Sequence, residues 1–184
     1  MGIGKNIIME PLQVGPCTFR NRIMMAAMET RLSTPLGDTT REMCDYYEER
    51  AKGGAAAIVV ENTYVDDIAS RSSLASSGLY NDQLIAGKFR LAEAIRRHGA
   101  LAILQLSHGG LQANPLAVPG QEAVAPSAVA SKFVGRMPRA LERDEIISIE
   151  DAFAEAARRA QQAGFDGVEI HGAHGYLVCE FLSP

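Results

Sequence analysis

A chain of 184 residues, 47% hydrophobic and 22% charged, is long enough to bury a sizeable core and need hold only one domain. A formal charge of −4 and a pI near 5.6 give no reason to expect a nucleic-acid or anionic-membrane partner, and no apolar run approaches the roughly 20 residues that span a bilayer. The N-terminus lacks a signal-peptide apolar core, and Cys17, Cys44 and Cys179 are too irregularly spaced for a disulfide framework or a zinc knuckle, so the expected home is the reducing cytoplasm.

In chain order, Pro11 to Arg20, with Gly15-Pro16 at its turn, reads as a short hairpin closing the floor of a barrel. Arg22 to Met28 reads as a strand. Thr39 and Glu42, three apart, offer a capping-box start to a helix that carries Met43, Tyr46 and Tyr47 and closes at Gly53-Gly54. Ala55 to Val60 is then a strand buried on both faces. The pattern repeats: a helical stripe of Ile85, Phe89, Ala92 and Ile95, a stop at Gly99, and a strand over Ala100 to Leu104. A third helix is expected from Ser148, with Asp151 three later, to a stop at Gly164, before the strand Gly167 to Ile170.

Four apolar strands alternating with three helices predict a parallel sheet with right-handed crossovers. An open dinucleotide-binding sheet would carry a glycine-rich fingerprint after its first strand. That junction reads Met28-Glu29-Thr30-Arg31-Leu32-Ser33 instead, so a (β/α)8 barrel is favoured. One connection breaks the rhythm: residues 109–147 are irregular and hold Pro115, Pro119, Pro126 and Pro138. Because it follows a strand, it belongs to the barrel face where active sites lie.

Polar residues collect where the strands stop: Met28-Glu29, Glu61-Asn62-Thr63, Gln105-Leu106-Ser107-His108, and His171-Gly-Ala-His174-Gly-Tyr176. His98 instead falls in the last turn of a helix, a favourable place for positive charge. The 171–176 segment allows three readings. Two histidines three apart can ligate a metal on a helical face, although Gly172 and Gly175 oppose a regular helix. They can satisfy loop carbonyls. Or two imidazole N–H groups can stabilise oxyanion charge on a substrate, with Tyr176 as proton donor.

The segment His171-Gly-Ala-His174-Gly-Tyr176 through Glu180-Phe181-Leu-Ser-Pro184 resembles the hallmark of Old Yellow Enzyme-type NADH:flavin oxidoreductases. Asn21-Arg22-Ile23 and Gln105-Leu106-Ser107-His108-Gly109-Gly110 resemble two further landmarks of that family in the expected order. The likeness runs from about Pro11 to Pro184 and is closest to bacterial dienoyl-CoA and enoate reductases. It implies an FMN-bearing TIM barrel. The backbone of Ala26, Ala27 and Met28 would pass beside the flavin, with Asn62 and Gln105 at its pyrimidine edge. His171 and His174 would anchor a substrate carbonyl oxygen over the ring, His171 lying beside the cofactor too. Tyr176 would protonate the α carbon of an activated C=C bond, and the hydride would come from flavin reduced by NADH or NADPH. No role is assigned to Glu29, which stands where relatives place Thr or Cys. Leu111 replaces an arginine often found after His-Gly-Gly, which leaves that arginine's contact in doubt.

A whole barrel takes about 250 residues and eight βα units. The expectation is therefore an N-terminal half-barrel of about four units over residues 1–184, with exposed strand edges. Such a chain should associate with itself or with a missing half, and by itself bind FMN weakly. Two other functions stand beside the ene-reductase: a catalytically incomplete fragment or interaction subunit, and a metal-dependent barrel hydrolase using His171 and His174.

Overall fold

A computed structural model describes residues 7–118, 122–130 and 134–183. Residues 1–6, Pro119 and Pro184, which enter the sequence expectations, lie outside them. The chain opens with a hairpin of β1 (Leu12–Val14) and β2 (Cys17–Phe19), turning through Gly15 at φ +54°. Arg20 then donates to the carbonyls of Ala51, Ala55 and His98, and Asn21 donates to Gly54 O and accepts from Ile23 N. These bonds tie the hairpin's exit to the end of the sheet where strands begin, as a floor requires. Through them Asn21 also joins the first strand to the close of the first helix, which is a structural role.

The main sheet follows in strict alternation with helices. Its members are β3 (Met24–Met25), α1 (Arg41–Lys52), β4 (Ala57–Tyr64), a two-residue β5 (Ser77–Gly78), α2 (Ile85–Arg96), β6 (Leu101–Ser107), a small parallel pair β7 (Val124–Ala125) and β8 (Arg139–Ala140), α3 (Arg143–Gln162), β9 (Gly167–Ile170) and α4 (Leu177–Phe181). The order β3-β4-β6-β9 is parallel throughout, with β5 beside the far end of β4. Helix and strand are separated by Gly54, Gly99 and Gly164, whose φ of +102°, +76° and +80° lie where a side chain is strained. Ile58, Val60, Leu104 and Leu106 face the helices and form the core with Met43, Tyr47, Leu91, Ile95 and Ala160. Alternation sends Gln105 and Glu169, opposite each other in the ladder, to the other face.

Several boundaries differ from the sequence expectation. Only Met24–Met25 of the first strand pairs with β4, because the chain beyond leaves the ladder and its Thr30 N–H is captured by Glu61. The first helix is capped by Thr40, whose hydroxyl accepts from Met43 N, since the Thr39 hydroxyl is taken by Lys88. Phe89 is 50% exposed, while Lys88 and Leu91 are wholly buried in its stead. The third helix begins at Arg143, five residues before Ser148, so the irregular connection is shorter than expected and carries β7 and β8. His98 lies just past α2 and meets Glu48 Oε1 at 2.9 Å, which joins α2 to α1.

Candidate active site

The ends of β4, β6 and β9 bring the polar residues together. Gln105 Nε2 donates to Glu169 Oε1 at 2.7 Å across adjacent strands. One residue beyond, His171 N donates to Leu106 O at 2.9 Å, so the 171–176 segment leaves the sheet beside the glutamine. His171 is buried and its ring centroid lies 4.6 Å from that of Tyr176 and 5.1 Å from that of His174. Burial, and then the neighbouring His174, hold the His171 imidazole below its ordinary pKa, so it is neutral at neutral pH.

The hydrogen bonds order the two rings. Ala173 N donates to His171 Nδ1 at 3.3 Å, which leaves the His171 proton on Nε2. That nitrogen stands 3.3 Å from His174 Nδ1, so His171 donates to His174, and His174 carries its proton on the outward Nε2. The pair is thus chained in this arrangement, with one free N–H.

The turn that carries them is unusual. His174 and Gly175 both have left-handed backbone, with φ of +58° and +68°, a conformation that costs a non-glycine residue energy. Gln112 offsets that cost by donating from its amide to the carbonyls of both His174 and Gly175. Tyr176 then N-caps α4. Glu180, a turn into that helix, accepts the Leu111 N–H at 2.9 Å, and burial pushes its carboxyl up to about 7. Where an arginine was missed at position 111, Arg136 reaches back to the Leu111 carbonyl at 2.8 Å.

The remaining candidates stand on the same rim. Asn62 sits in the register shift between Val60 and Thr63, a bulge of the kind that re-aims side chains, and its amide donates to Ser72 Oγ at 3.2 Å. Ala26, Ala27 and Met28 follow the last ladder pair of β3, Met25 with Ile58, in extended chain. Glu29 is engaged by the Ser73 hydroxyl at 2.7 Å and the Ser76 hydroxyl at 3.2 Å. His108 is buried, its Nδ1 accepting Gly110 N and its Nε2 lying 3.1 Å from Asp66 Oδ2 at an angle outside regular hydrogen-bond geometry. Glu169 and Gln112 were not singled out from sequence. Glu169 carried no local signal, because the register that sets it opposite Gln105 is fixed only by the ladder between β6 and β9, and Gln112 carried none, because its partners are main-chain carbonyls. Among the described residues no group of three or more His, Cys, Asp or Glu is placed to hold a metal, and no helix is long and apolar enough to cross a membrane.

Parallel strands with alternating helices, whose C-terminal ends gather an amide, two imidazoles and a phenol, define an α/β fold of the barrel class with a polar cluster on the face where such folds carry their sites. Residues 7–184 match the model of the NADH:flavin oxidoreductase / NADH oxidase family, and the chain belongs to that family. It is 42% identical to an NADH oxidase of Thermoanaerobacter brockii over 172 residues, 94% of this chain and 26% of that protein. It is 43% identical to an NADH:fumarate oxidoreductase of Klebsiella pneumoniae over 166 residues, 90% of this chain and 18% of the relative. Its fold superimposes on Old Yellow Enzyme from Pichia sp. AKU4542 with a TM-score of 0.88 at 26% identity, over 99% of this chain and 50% of that one. The chain therefore corresponds to the N-terminal part of an Old Yellow Enzyme-type TIM barrel and spans half or less of these relatives. FMN is the family's cofactor and NAD(P)H its reductant.

Proposed function

We propose that this chain is the N-terminal half of an FMN-binding barrel domain whose reaction is NAD(P)H-dependent reduction of an activated C=C bond in an unsaturated carbonyl compound. The observation that supports it is the meeting of the Gln105–Glu169 pair with the His171–His174–Tyr176 cluster at one end of two adjacent strands. The donor set fits a flavin. Gln105 is oriented by Glu169 and keeps its amide oxygen for an N–H of the pyrimidine edge, the mixed donor and acceptor character that edge requires. Asn62 and the backbone of Ala26, Ala27 and Met28 flank the same place.

FMN, when bound, supplies the hydride that the β carbon receives. The chain's own residues do the rest. His174 donates its free Nε2–H to the substrate carbonyl oxygen, and His171 adds a second N–H when its contact with His174 opens. Both then stabilise the negative charge that grows on that oxygen. Tyr176, whose ring lies tilted against that of His171, gives its hydroxyl proton to the α carbon. The exposed edges of β3 and β9 are where further strands complete the barrel, from the rest of the domain or from an associated chain. The relative that reduces fumarate favours a small unsaturated acid or ester as acceptor.

The test is an absorbance spectrum and an alkene-reduction assay on the full enzyme and its Tyr176→Phe variant. The variant should keep its flavin and lose at least ~100-fold in rate. Equal loss of flavin and rate would make Tyr176 structural and overturn its assignment.

A further inference from the structure

Two buried ionisable side chains have no part in that reaction, and they grip the same piece of chain. Glu61, in the β4 bulge, is wholly buried. Its Oε2 accepts the Thr30 main-chain N–H at 2.6 Å and the Tyr47 hydroxyl at 3.3 Å, and the Tyr47 oxygen accepts Glu61 N–H at 2.9 Å. Its Oε1 is buried with no hydrogen-bond partner among the described residues. Lys88, in the middle of α2, is also wholly buried; its Nζ donates to Thr39 Oγ1 at 3.1 Å and reaches Gly37 O at 3.5 Å. One charge of each sign thus holds the two ends of the connection from Thr30 to Thr39. Burial brings the Lys88 ammonium down to about 8, with Glu61 and then Asp38 as the charges that oppose this; burial pushes the Glu61 carboxyl up, opposed first by the Thr30 hydrogen bond and only weakly by Lys88.

Packing alone does not ask for this arrangement. Lys88 lies on the apolar face of α2 beside Leu91, Ala92 and Ile95, where Met or Leu would fill the space without dehydrating a charge. The bond to Thr30 is short, as charge-assisted hydrogen bonds are. Thr30 is two residues past Met28, so whatever fixes Thr30 fixes the end of the segment that borders the cofactor.

We propose that Glu61, through the Thr30 main-chain N–H that its carboxylate accepts, is a positioning residue for the segment Ala26–Thr30, that Lys88 anchors the other end of the same connection at Gly37 and Thr39, and that these two buried groups together set the electrostatic environment of the flavin. The flavin's place rests on the function proposed above; the contacts of the two groups do not. The carboxylate is the member nearer the flavin-bordering segment, so neutralising it should favour the reduced, more negative cofactor.

A double-mutant cycle tests this with Glu61→Gln, Lys88→Met and the two combined. In the flavin-free protein, Glu61→Gln should move the Thr30 amide proton upfield, and each single variant should lower the melting temperature. The double variant, with no buried charge left, should recover at least half of the summed loss. In the holoenzyme, Glu61→Gln should raise the flavin reduction potential and Lys88→Met lower it. Losses that simply add, or a potential that both single variants leave unmoved, overturn the proposal. Wild-type protein that binds no flavin would overturn the functional reading instead, with the Thr30 and melting arms still deciding this one.

Discussion

The two flanks of this sheet are built from similar strands under different cover. β4 has all eight of its residues buried, sandwiched between β3 and β6 beneath α1 and α2. β9, at the far edge, leaves Val168 39% and Ile170 51% exposed, although Val168 stands directly opposite the wholly buried Leu104. The strand forms on the ladder it shares with β6, and among the described residues it has no strand on its other side. The candidate site straddles this divide. Gln105 and Asn62 come from strands inside the sheet; His171, His174 and Tyr176 come from the edge, where His171 is buried and Gln112 holds the carbonyls of the turn at His174 and Gly175.

The largest expected effect measures that contrast directly. Leu104→Ala removes a side chain enclosed on every side and should cost about 3 kcal/mol, transfer and cavity together. Ile170→Ala removes one already half in water and should cost less than about 1 kcal/mol. Urea denaturation of both variants decides it. Equal losses would mean that β9 is covered in solution by something other than the described residues.

How much of this was readable beforehand follows the same divide. The β4 run announced itself as a strand buried on both faces, and the glycines at 54, 99 and 164 marked where each helix yields to a strand, because those positions demand left-handed backbone. The convergence of Gln105 with the 171–176 segment follows from parallel topology alone. Pairings across the fold were not readable. Nothing local to Thr39 tells that its hydroxyl serves Lys88, and an apolar stripe through Phe89 cannot show that a lysine is buried beside it with Thr39 and Gly37 as its partners. The contact between the two histidines was unreadable for a related reason: it depends on the Ala173 N–H reaching His171 Nδ1, a main-chain partner that residue type does not announce.

Acidity offers a second, smaller measure of the edge flank. Burial pushes the Glu180 carboxyl up to about 7 from 4.5, against a modest pull from the Leu111 N–H. Below pH 4.5 folded and unfolded chains both hold that proton. Between 4.5 and 7 the unfolded chain releases it and the folded chain does not, so stability is lost as pH rises through this window, then levels off. Allowing for its partial exposure, the loss should be about 1–2 kcal/mol. Glu180→Gln should flatten that part of the stability profile, read as melting temperature at pH 5 and pH 7.5. Parallel profiles for variant and wild type would show that Glu180 is hydrated and that the Leu111 contact does not bury it.

The smallest effect concerns where α3 begins, at the mouth of the same flank. Ser148 with Asp151 three later imitates a capping box, but the Ser148 hydroxyl donates back to Asp144 O at 2.9 Å, the habit of a serine inside a helix. The N-terminal work falls to Glu145, which accepts the Glu142 N–H at 2.8 Å and holds both Arg139 terminal nitrogens at 2.7 and 2.8 Å. Arg139 keeps the Glu145 carboxyl down to about 2, so its contribution is complete above pH 4.5 and fades as pH falls toward 2, the opposite window from Glu180. Glu145→Ala should therefore cost about 1 kcal/mol at neutral pH and nothing near pH 2, while Ser148→Ala stays within about 0.5 kcal/mol at either. A serine variant as damaging as the glutamate one would move the helix start back to Ser148 and lengthen the connection that borders the site.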